Sequence, residues 1–347
     1  MRRERLKELL TRFASLNIVV VGDLFLDHWF EVDRNLDEPS LETGLTAYQV
    51  VRKRPAAGAA GTVMNNLAAL GIGSVRAVAL LGNDGDGFEV QKALHARGIN
   101  TDGIVTDDSV VTPAYNKTLF VRDGMPPQET NRLDVKNRSV TPLRIQDKLI
   151  ENLLAAAEGA DAVMLLDQLM EENFGVVTDR MLQAVRTLAK DRPDLLIYGD
   201  SRGFIHKFTD MVIKCNNHEA LGLTGSPDEE TFDRDSVFSA MDQIRMRTGR
   251  PVFITCNRHG VAAEWEGTKT LVPAVQQNGP IDICGAGDAC SAGIVSALAA
   301  GATHIEAAQM GNLAAGVTVR MLGQTGAAEA QKVLALFDEQ HTLFESV

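Results

Sequence analysis

The chain has 347 residues, of which 45% are hydrophobic and 23% are charged. These proportions are typical of a globular protein with a core, and they exclude a disordered chain, a collagen-like repeat and a small disulfide scaffold. The 46 acidic and 34 basic residues give a net charge of −12, which disfavours nucleic acid and anionic membranes as partners. Because the chain has no long apolar run and its four cysteines lack a C-x-x-C spacing, we expect a cytoplasmic protein with reduced thiols and no zinc site.

Short apolar runs alternate with helical patterns along most of the chain, which is typical of a parallel sheet covered by helices on both faces. The predicted strands are 17–21, 75–81, 162–166, 195–199, 211–214 and 252–255. The predicted helices are 61–70, 143–157, 176–189 and 289–300. The length fits one large α/β domain or two smaller ones, and we predict a single domain over residues 1–347.

Two segments, at about 28–56 and 113–135, interrupt the alternation of predicted strands and helices. They contain alternating polar and apolar residues and turn formers. This pattern predicts two antiparallel excursions that form a small β-sheet, placed as a lid over the carboxyl edge of the main sheet. An exposed sheet of this kind can pair with a second copy of itself. We therefore expect a homodimer that forms through the lid.

The sharpest local signal is D-I-C-G-A-G-D, from Asp282 to Asp288, followed by a run of small and apolar residues. The backbone amides of Gly285, Ala286 and Gly287, at the start of a helix, would form a concavity that binds an anion. The Asp288 carboxylate beside it could accept the proton of an alcohol while the alcohol oxygen bonds to phosphorus. The alternative is a glycine-rich turn in which the aspartate only caps a helix.

Two other phosphate-binding signatures fit less well. A dinucleotide fingerprint needs a third glycine where Cys290 stands, and it usually opens the first βα unit of a chain rather than the last. The chain also contains no G-x-x-x-x-G-K-[ST] loop, which excludes a P-loop enzyme.

The D-I-C-G-A-G-D segment resembles the late signature D-[TV]-x-G-A-G-D of the ribokinase-like (phosphofructokinase-B) family of sugar kinases. Further motifs of that family match in the same order, so that the resemblance covers roughly residues 15–330. They are 82–87 (G-N-D-G-D-G), 216–219 (N-N-H-E), 255–260 (T-C-N-R-H-G), 312–316 (N-L-A-A-G) and 322–323 (L-G). The resemblance implies a Rossmann-type three-layer αβα sandwich with a small β-sheet lid, and an ATP-dependent sugar kinase.

The family's motifs also imply roles around the nucleotide. Asn216 and Glu219 correspond to the pair associated with Mg²⁺-bound phosphates, and Mg²⁺ would be held largely by phosphate oxygens and water. Thr255, Gly260 and Asn312 correspond to positions near the nucleotide. A monovalent cation, K⁺, is implied near Asp282.

Within the family, the chain is most similar to the heptose-7-phosphate kinase branch, the kinase half of ADP-heptose synthesis proteins. The similar stretches are 22–27, 116–117 and 128–134. That branch phosphorylates the anomeric hydroxyl of a sugar that already carries a phosphate. Cationic groups in the lid are therefore expected, and Lys117 and Arg132 are the candidates, although both could equally be solvated cations on an edge sheet.

The resemblance places the sugar against Asp23, Asp27, Gly58 and Thr62, with Arg202 or Lys117 neutralising phosphate charge. Asp23 and Asp27 could instead cap turns at the end of a strand. The chain departs from the family here, because Gly-Gly-x-x-Asn reads G-A-A-G-T over residues 58–62 and Asp-Pro-Lys reads D-S-R over residues 200–202. The sugar pocket is therefore expected to be reshaped.

Three other functions compete with this prediction. One is another sugar or nucleoside kinase of the same family, and a second is a sugar-binding or regulatory protein on the same fold that has lost turnover. The altered 58–62 region motivates the second, whereas the intact Asp288 and its glycines argue against it. A nucleotide-dependent dehydrogenase is the third.

Overall fold

A computed structural model describes residues 1–122, 124–222 and 232–345. Its strands are β1 (Asn17–Gly22), β2 (Leu24–Asp33), β3 (Glu38–Pro39), β4 (Thr46–Ala47), β5 (Val50–Ala59), β6 (Ser74–Gly82), β7 (Asn100–Asp107), β8 (Ala114–Arg122), β9 (Met125–Val135), β10 (Ala162–Asp167), β11 (Leu196–Ser201), β12 (Val212–Asn216), β13 (Val252–Thr255), β14 (Val261–Trp265) and β15 (Thr268–Val272). Its helices are α1 (Arg3–Phe13), α2 (Ala60–Leu70), α3 (Gly85–His95), α4 (Leu143–Ala157), α5 (Asp179–Asp191), α6 (Asn217–Leu221), α7 (Arg234–Thr248), α8 (Ala286–Ala299), α9 (His304–Thr318), α10 (Ala330–Glu339) and α11 (His341–Glu345).

The main sheet has nine strands in the order β15-β14-β13-β12-β11-β10-β1-β6-β7. Seven neighbouring strands of this sheet run parallel, namely β13, β12, β11, β10, β1, β6 and β7. Strands β14 and β15 extend the sheet as an antiparallel edge beside β13. All six strands predicted from apolar runs are present. Because parallel strands point their carboxyl ends to one edge, the loops that follow β1, β10, β11, β12 and β13 open on the same side of the sheet.

Helices cover both faces of this sheet. Ile18 and Val20 of β1 pack into one core with helices α1, α2, α8, α9 and α10, whereas Val19 and Val21 pack into the other core with α4, α5 and α7. A strand that is buried on both faces reads as a continuous apolar run, which is the pattern that predicted it. The three-layer αβα sandwich is therefore confirmed.

Two helices, α5 and α8, begin three residues away from their predicted first residues. Helix α5 begins at Asp179 rather than 176, because the Thr178 hydroxyl accepts a hydrogen bond from the Met181 amide and caps the helix. Helix α8 begins at Ala286 rather than 289, so the glycine-rich motif itself forms the first turn. Although α8 is apolar on most of its surface, no helix in the described ranges is long and apolar enough to cross a membrane.

A second sheet has the strand order β5-β2-β8-β9 and is called the small sheet below. The pairs β2/β5 and β8/β9 are antiparallel as expected, but the central pair β2/β8 is parallel, so the expectation of an antiparallel sheet is wrong there. The reason is topological. Strands β2 and β8 follow β1 and β7, which are parallel, and both therefore leave the same edge of the main sheet in the same direction. Residue 123, between β8 and β9, lies outside the described residues.

Candidate active site

The start of α8 forms a backbone cradle. Gly285 caps the helix in the left-handed conformation, with φ of 77°. A Cβ atom there would lie 2.9 Å from Thr325 Cγ2 and 3.2 Å from Thr62 Cγ2, so a side chain is excluded by space as well as by backbone conformation. The Ala286 amide donates to the Ile283 carbonyl at 3.1 Å. The amides of the next two residues have no partner within the helix, and anion binding by the amides of Gly285, Ala286 and Gly287 stays a prediction.

Asp288 lies in this first turn and is partly buried. Its removal from water raises the pKa of its carboxyl group to about 7, with Lys214 opposing the rise. The charge of Asp200 adds to the rise, and that of Arg202 opposes it. A carboxyl group with a pKa near the working pH is suited to accept and return a proton.

A buried lysine lies beneath the cradle, and the sequence analysis missed it. Lys214 Nζ is 2.8 Å from Asp200 Oδ2, and the Ser291 hydroxyl donates to the same oxygen at 3.0 Å. The ammonium also lies 3.5 Å from the position that a Gly287 Cβ would occupy, so it faces the cradle. The signal that could have found it is a single lysine within the apolar strand β12, since lysine is almost never fully buried without a partner.

Asn216 and Glu219 form a reciprocal cap at the start of α6. The Asn216 side-chain oxygen accepts from the Glu219 amide at 2.8 Å, and the Glu219 Oε2 accepts from the Asn216 amide at 2.7 Å. Burial raises the pKa of the Glu219 carboxyl group; Asp200 adds to this rise and Lys214 opposes it. One carboxylate oxygen of Glu219 takes no part in the cap and fits an outer-shell contact to Mg²⁺.

The protein does not supply a complete metal cage within the described ranges, where no group of three or more His, Cys, Asp or Glu side chains is disposed to hold an ion. Mg²⁺ requires octahedral oxygen ligands and keeps several waters, with substrate phosphates completing its shell. The residues present therefore fit a Mg²⁺ ion that arrives with a nucleotide rather than a resident one.

The three other residues predicted near the nucleotide, Thr255, Gly260 and Asn312, lie around the β13–β14 turn and the end of β15. The Thr255 hydroxyl donates to a β12 carbonyl at 3.4 Å. The side-chain Nδ2 of Asn312 donates to the carbonyls of Val272 and Pro273, both at 3.0 Å. A Cβ at Gly260 would collide with the Val272 carbonyl. Thr255 thus joins β13 to β12, Gly260 lets the β13–β14 turn lie against the end of β15, and Asn312 joins α9 to that same end. Their contact with a nucleotide stays a prediction.

Asp282 joins two loops. Its Oδ1 accepts from the Cys284 amide at 3.0 Å and its Oδ2 from the Gly323 amide at 2.9 Å. Its own amide donates to the Val319 carbonyl at 2.9 Å. The carboxylate thereby fixes the segment that leads into the cradle, and a monovalent cation beside it stays a prediction.

One face of the small sheet carries a row of cations. Arg54, Trp29, Lys117 and Arg132 lie side by side on β5, β2, β8 and β9, so their side chains share a face. Lys117 Nζ lies 4.8 Å from the Trp29 ring centroid and 3.8 Å from Oδ1 of Asp27, two residues before Trp29 on β2. Burial raises the pKa of the Asp27 carboxyl group, whereas the charges of Lys117 and Arg132 oppose the rise. The row therefore brings predicted sugar and phosphate ligands together.

Gly58 and Thr62 complete this part of the site. A Cβ at Gly58 would collide with the Asp27 carboxylate, so the glycine allows β5 to lie directly against that group. Thr62 is only 3% exposed, and its methyl group faces Gly285. The structure thus places Thr62 directly against the cradle.

Asp23 has a different position from Asp27. It is 4% exposed, and its two oxygens accept from the amides of Val176, at 2.8 Å, and Gln168, at 3.1 Å. These bonds tie the loop after β10 to the end of β1, and contact of Asp23 with a sugar hydroxyl stays a prediction. Arg202, by contrast, is exposed at the end of β11, within electrostatic reach of Asp288.

Ala59 connects β5 to α2 in a strained conformation, with φ of 53° and ψ of −123°. These angles match the first central position of a type II′ turn, which glycine dominates because a Cβ is disfavoured there. The chain therefore keeps the backbone path of a glycine while carrying an alanine.

Comparisons with known proteins agree with this geometry. The family model described as pfkB family carbohydrate kinase matches residues 15–331. The bifunctional protein HldE of Pelobacter propionicus is 28% identical over 343 residues, and that of Trichlorobacter lovleyi is 29% identical over 342; each alignment covers 97% of this chain. The chain spans 66% of the length of these two relatives.

Solved structures show the same fold. Arabidopsis thaliana ribokinase, complexed with ribose and ATP, superimposes with a TM-score of 0.66 at 19% identity, covering 92% of this chain and 98% of that one. Escherichia coli phosphofructokinase-2 superimposes with a TM-score of 0.71 at 16% identity, covering 94% of this chain and 99% of that one. At these identities the likeness establishes the ribokinase-like fold.

Proposed function

The chain belongs to the pfkB family of carbohydrate kinases, and we propose that it transfers the terminal phosphoryl group of ATP to the anomeric hydroxyl of a phosphorylated sugar of the heptose 7-phosphate type. The family makes it a phosphotransferase that acts on a sugar. The observation that carries the proposed phosphoryl transfer is the Asp288 carboxyl group, with a pKa of about 7, beside the amides that open α8. The phosphorylated acceptor is supported by the cations of the small sheet and by the similarity to the HldE proteins.

In the proposed reaction, the sugar hydroxyl oxygen forms a bond to the terminal phosphorus while the bond from that phosphorus to the bridging oxygen of ATP breaks. Asp288 accepts the hydroxyl proton, and ADP leaves with the electron pair of the broken bond. The amide of Gly287 and the Lys214 ammonium, 3.5 Å from that residue's Cβ position, offset the negative charge of the phosphoryl oxygens.

Mg²⁺, when bound with ATP, neutralises charge on the nucleotide phosphates. Asn216 and Glu219 would hold it through water from the start of α6. Thr255, Gly260 and Asn312 would shape the turn beside the nucleotide, and a K⁺ ion near Asp282 would steady the loop before the cradle.

The cation row supports a phosphate on the acceptor sugar. Lys117 is mostly buried beside Asp27, and Arg132 lies over the Tyr115 ring, with its guanidinium carbon 4.4 Å from the centroid. Each cation already pairs with a carboxylate, Lys117 with Asp27 and Arg132 with Asp134, whose Oδ1 lies 2.7 Å from the Arg132 Nε. A phosphate on the sugar would compete for these cations as a charged acceptor, which a neutral sugar cannot do. Asp27 and Thr62 would then contact hydroxyl groups, and Arg202 would offset phosphate charge near Asp288.

Two further properties belong to this proposal. The small sheet has an open edge at β9, where Met125, Leu133 and Val135 are exposed, and this edge supports a homodimer formed through the sheet. The four cysteines are free thiols, which fits a reducing, cytoplasmic compartment.

The test is release of ADP from Mg²⁺-ATP across a panel of heptose, hexose and pentose phosphates, their unphosphorylated parents and nucleosides. We expect turnover with a sugar phosphate, and we expect Asp288→Asn to lower kcat by about 10²–10⁴-fold at nearly unchanged Tm. The matched control is Asp86→Asn, which alters another first-turn aspartate, on α3. Binding of a sugar without ADP release would favour the regulatory alternative, and near-parental turnover in Asp288→Asn would remove that residue from its role.

A further inference from the structure

One arginine joins the small sheet to the segment 319–325, which follows α9. The Arg54 Nη1 donates to the Gly323 carbonyl at 3.1 Å, and the Arg54 Nε lies 2.8 Å from Glu31 Oε1 on the neighbouring strand. Its guanidinium carbon lies 5.4 Å from the Trp29 ring centroid. Arg54 is therefore fixed at once to its own sheet and to a loop outside it.

The same segment is joined to the cradle from its other side. The Gly323 amide donates to Asp282 Oδ2 at 2.9 Å, and Asp282 Oδ1 accepts from the Cys284 amide at 3.0 Å, one residue before the cradle begins. Thr325 also contacts the cradle, because its Cγ2 lies 2.9 Å from the Cβ position of Gly285. A continuous path of hydrogen bonds thus runs from Arg54 through Gly323 and Asp282 to the loop that opens α8.

We propose that Arg54 is a positioning residue that couples occupation of the phosphate cradle to the cation-bearing face of the small sheet. This inference rests on the proposed function, since the two ends of the path are its nucleotide and sugar sites. The peptide between residues 284 and 285 carries the Gly285 amide, one of the predicted anion-binding amides, and it adjoins the Cys284 amide that Asp282 holds. An anion bound there would displace this peptide, and Asp282 and Gly323 would carry the displacement to the Arg54 guanidinium.

The receiving end of the path is Trp29. Its ring lies between strands β5 and β8 and contacts both Arg54 and Lys117, whose Nζ is 4.8 Å from the ring centroid. A change in the position of Arg54 therefore reaches the lysine that pairs with Asp27. A purely structural arginine would hold Glu31 in the same way whether or not the cradle is occupied.

The experiment uses Trp29 as a reporter. The chain has two tryptophans, so Trp265→Phe leaves Trp29 as the only source of tryptophan fluorescence. We expect Mg²⁺-ADP to change the Trp29 emission in this background and Arg54→Met to remove most of that change. Calorimetry on the same variant checks that ADP still binds, so that a lost emission change reflects lost transmission and not lost binding. The matched control is Arg52→Met, on the same strand and face, whose side chain is 67% exposed and lies 4.0 Å from Glu31.

Arg54→Lys provides a second test if the methionine variant does not fold. A lysine keeps one positive charge near Trp29 but cannot bond to Glu31 and the Gly323 carbonyl with separate nitrogens, so the response to ADP should again be reduced. A parental Trp29 response in both variants, or no response in the parent while calorimetry records ADP binding, would overturn the role of Arg54 alone. Failure of the parent to bind ADP would overturn the proposed function, and the coupling with it.

Discussion

Protonation of Asp288 should set the acidic limb of the pH dependence of kcat/KM. The proposed reaction needs the carboxylate form, and the carboxyl group has a pKa of about 7 because it is withdrawn from water. Activity should therefore rise with pH through about 7 and then level off. At one pH unit below this pKa only about a tenth of the molecules carry the carboxylate, so kcat/KM should fall about tenfold per unit there.

The electrostatic cause can be tested by removing the neighbouring ion pair. Lys214 lowers the pKa of Asp288 more than Asp200 raises it. Removing both charges together should therefore move the limb to higher pH. The variant is Lys214→Met with Asp200→Asn, because removal of the lysine alone would leave a buried carboxylate without its partner, at a cost of about 3–5 kcal/mol.

The assay is initial-rate ADP release at subsaturating sugar between pH 5 and 9, with coupling enzymes in excess throughout. Lys207→Met, which removes an ammonium from a surface ion pair with Asp179, is the control and should leave the limb in place. A limb near the ordinary aspartate pKa of about 4 would refute the reasoning. So would a limb that moves to lower pH in the double variant.

Two further predictions concern the small sheet and its connection to α2. Lys117→Ala and Arg132→Ala should each weaken binding of a sugar phosphate by about tenfold or more, with far smaller effects on ATP, as measured by calorimetry; equal losses for both ligands would contradict the phosphosugar assignment. Ala59→Gly should raise the free energy of unfolding by about 1 kcal/mol, since release of backbone strain outweighs the extra freedom of glycine in the unfolded chain. The control Ala56→Gly, in ordinary strand conformation, should lower stability in the same urea titration, and a loss of stability in both variants would rule out strain at Ala59.

The parts of this molecule that could be predicted from sequence are those encoded by contiguous residues. The strands of the main sheet are buried on both faces and stand out as apolar runs, as in Ile18–Val21, and the cradle is a seven-residue motif that ends at Asp288. Local chemistry decides both, because a buried strand needs apolar side chains and a close backbone turn needs glycine. The order of residues along the chain is therefore sufficient to locate the main-sheet strands and the start of α8.

The rest depends on register and on contacts between distant segments. No local pattern shows that Arg54, Trp29, Lys117 and Arg132 fall in one row, because the alignment of four strands fixes it. The pairing of Lys214 with Asp200 joins two neighbouring parallel strands in the same way. Asp23 shows the converse, since its sequence position resembles that of a ligand while its oxygens are already bonded to a loop more than a hundred residues away.

Under the proposed function, the departures from the family pattern would alter how this chain recognises its sugar. At position 62 a threonine replaces the asparagine of the family, and it is buried with its methyl group toward Gly285. The Thr62 hydroxyl has shorter reach and fewer hydrogen-bonding groups than an asparagine side-chain amide. Helix α2 therefore offers a sugar fewer hydrogen bonds at this position. The strained path at Ala59 nevertheless keeps β5 against Asp27, since Gly58 lies in contact with that carboxylate. Under the proposed function, sugar recognition would therefore depend more on the small sheet than on α2, because Lys117 Nζ lies 3.8 Å from Asp27 Oδ1 there.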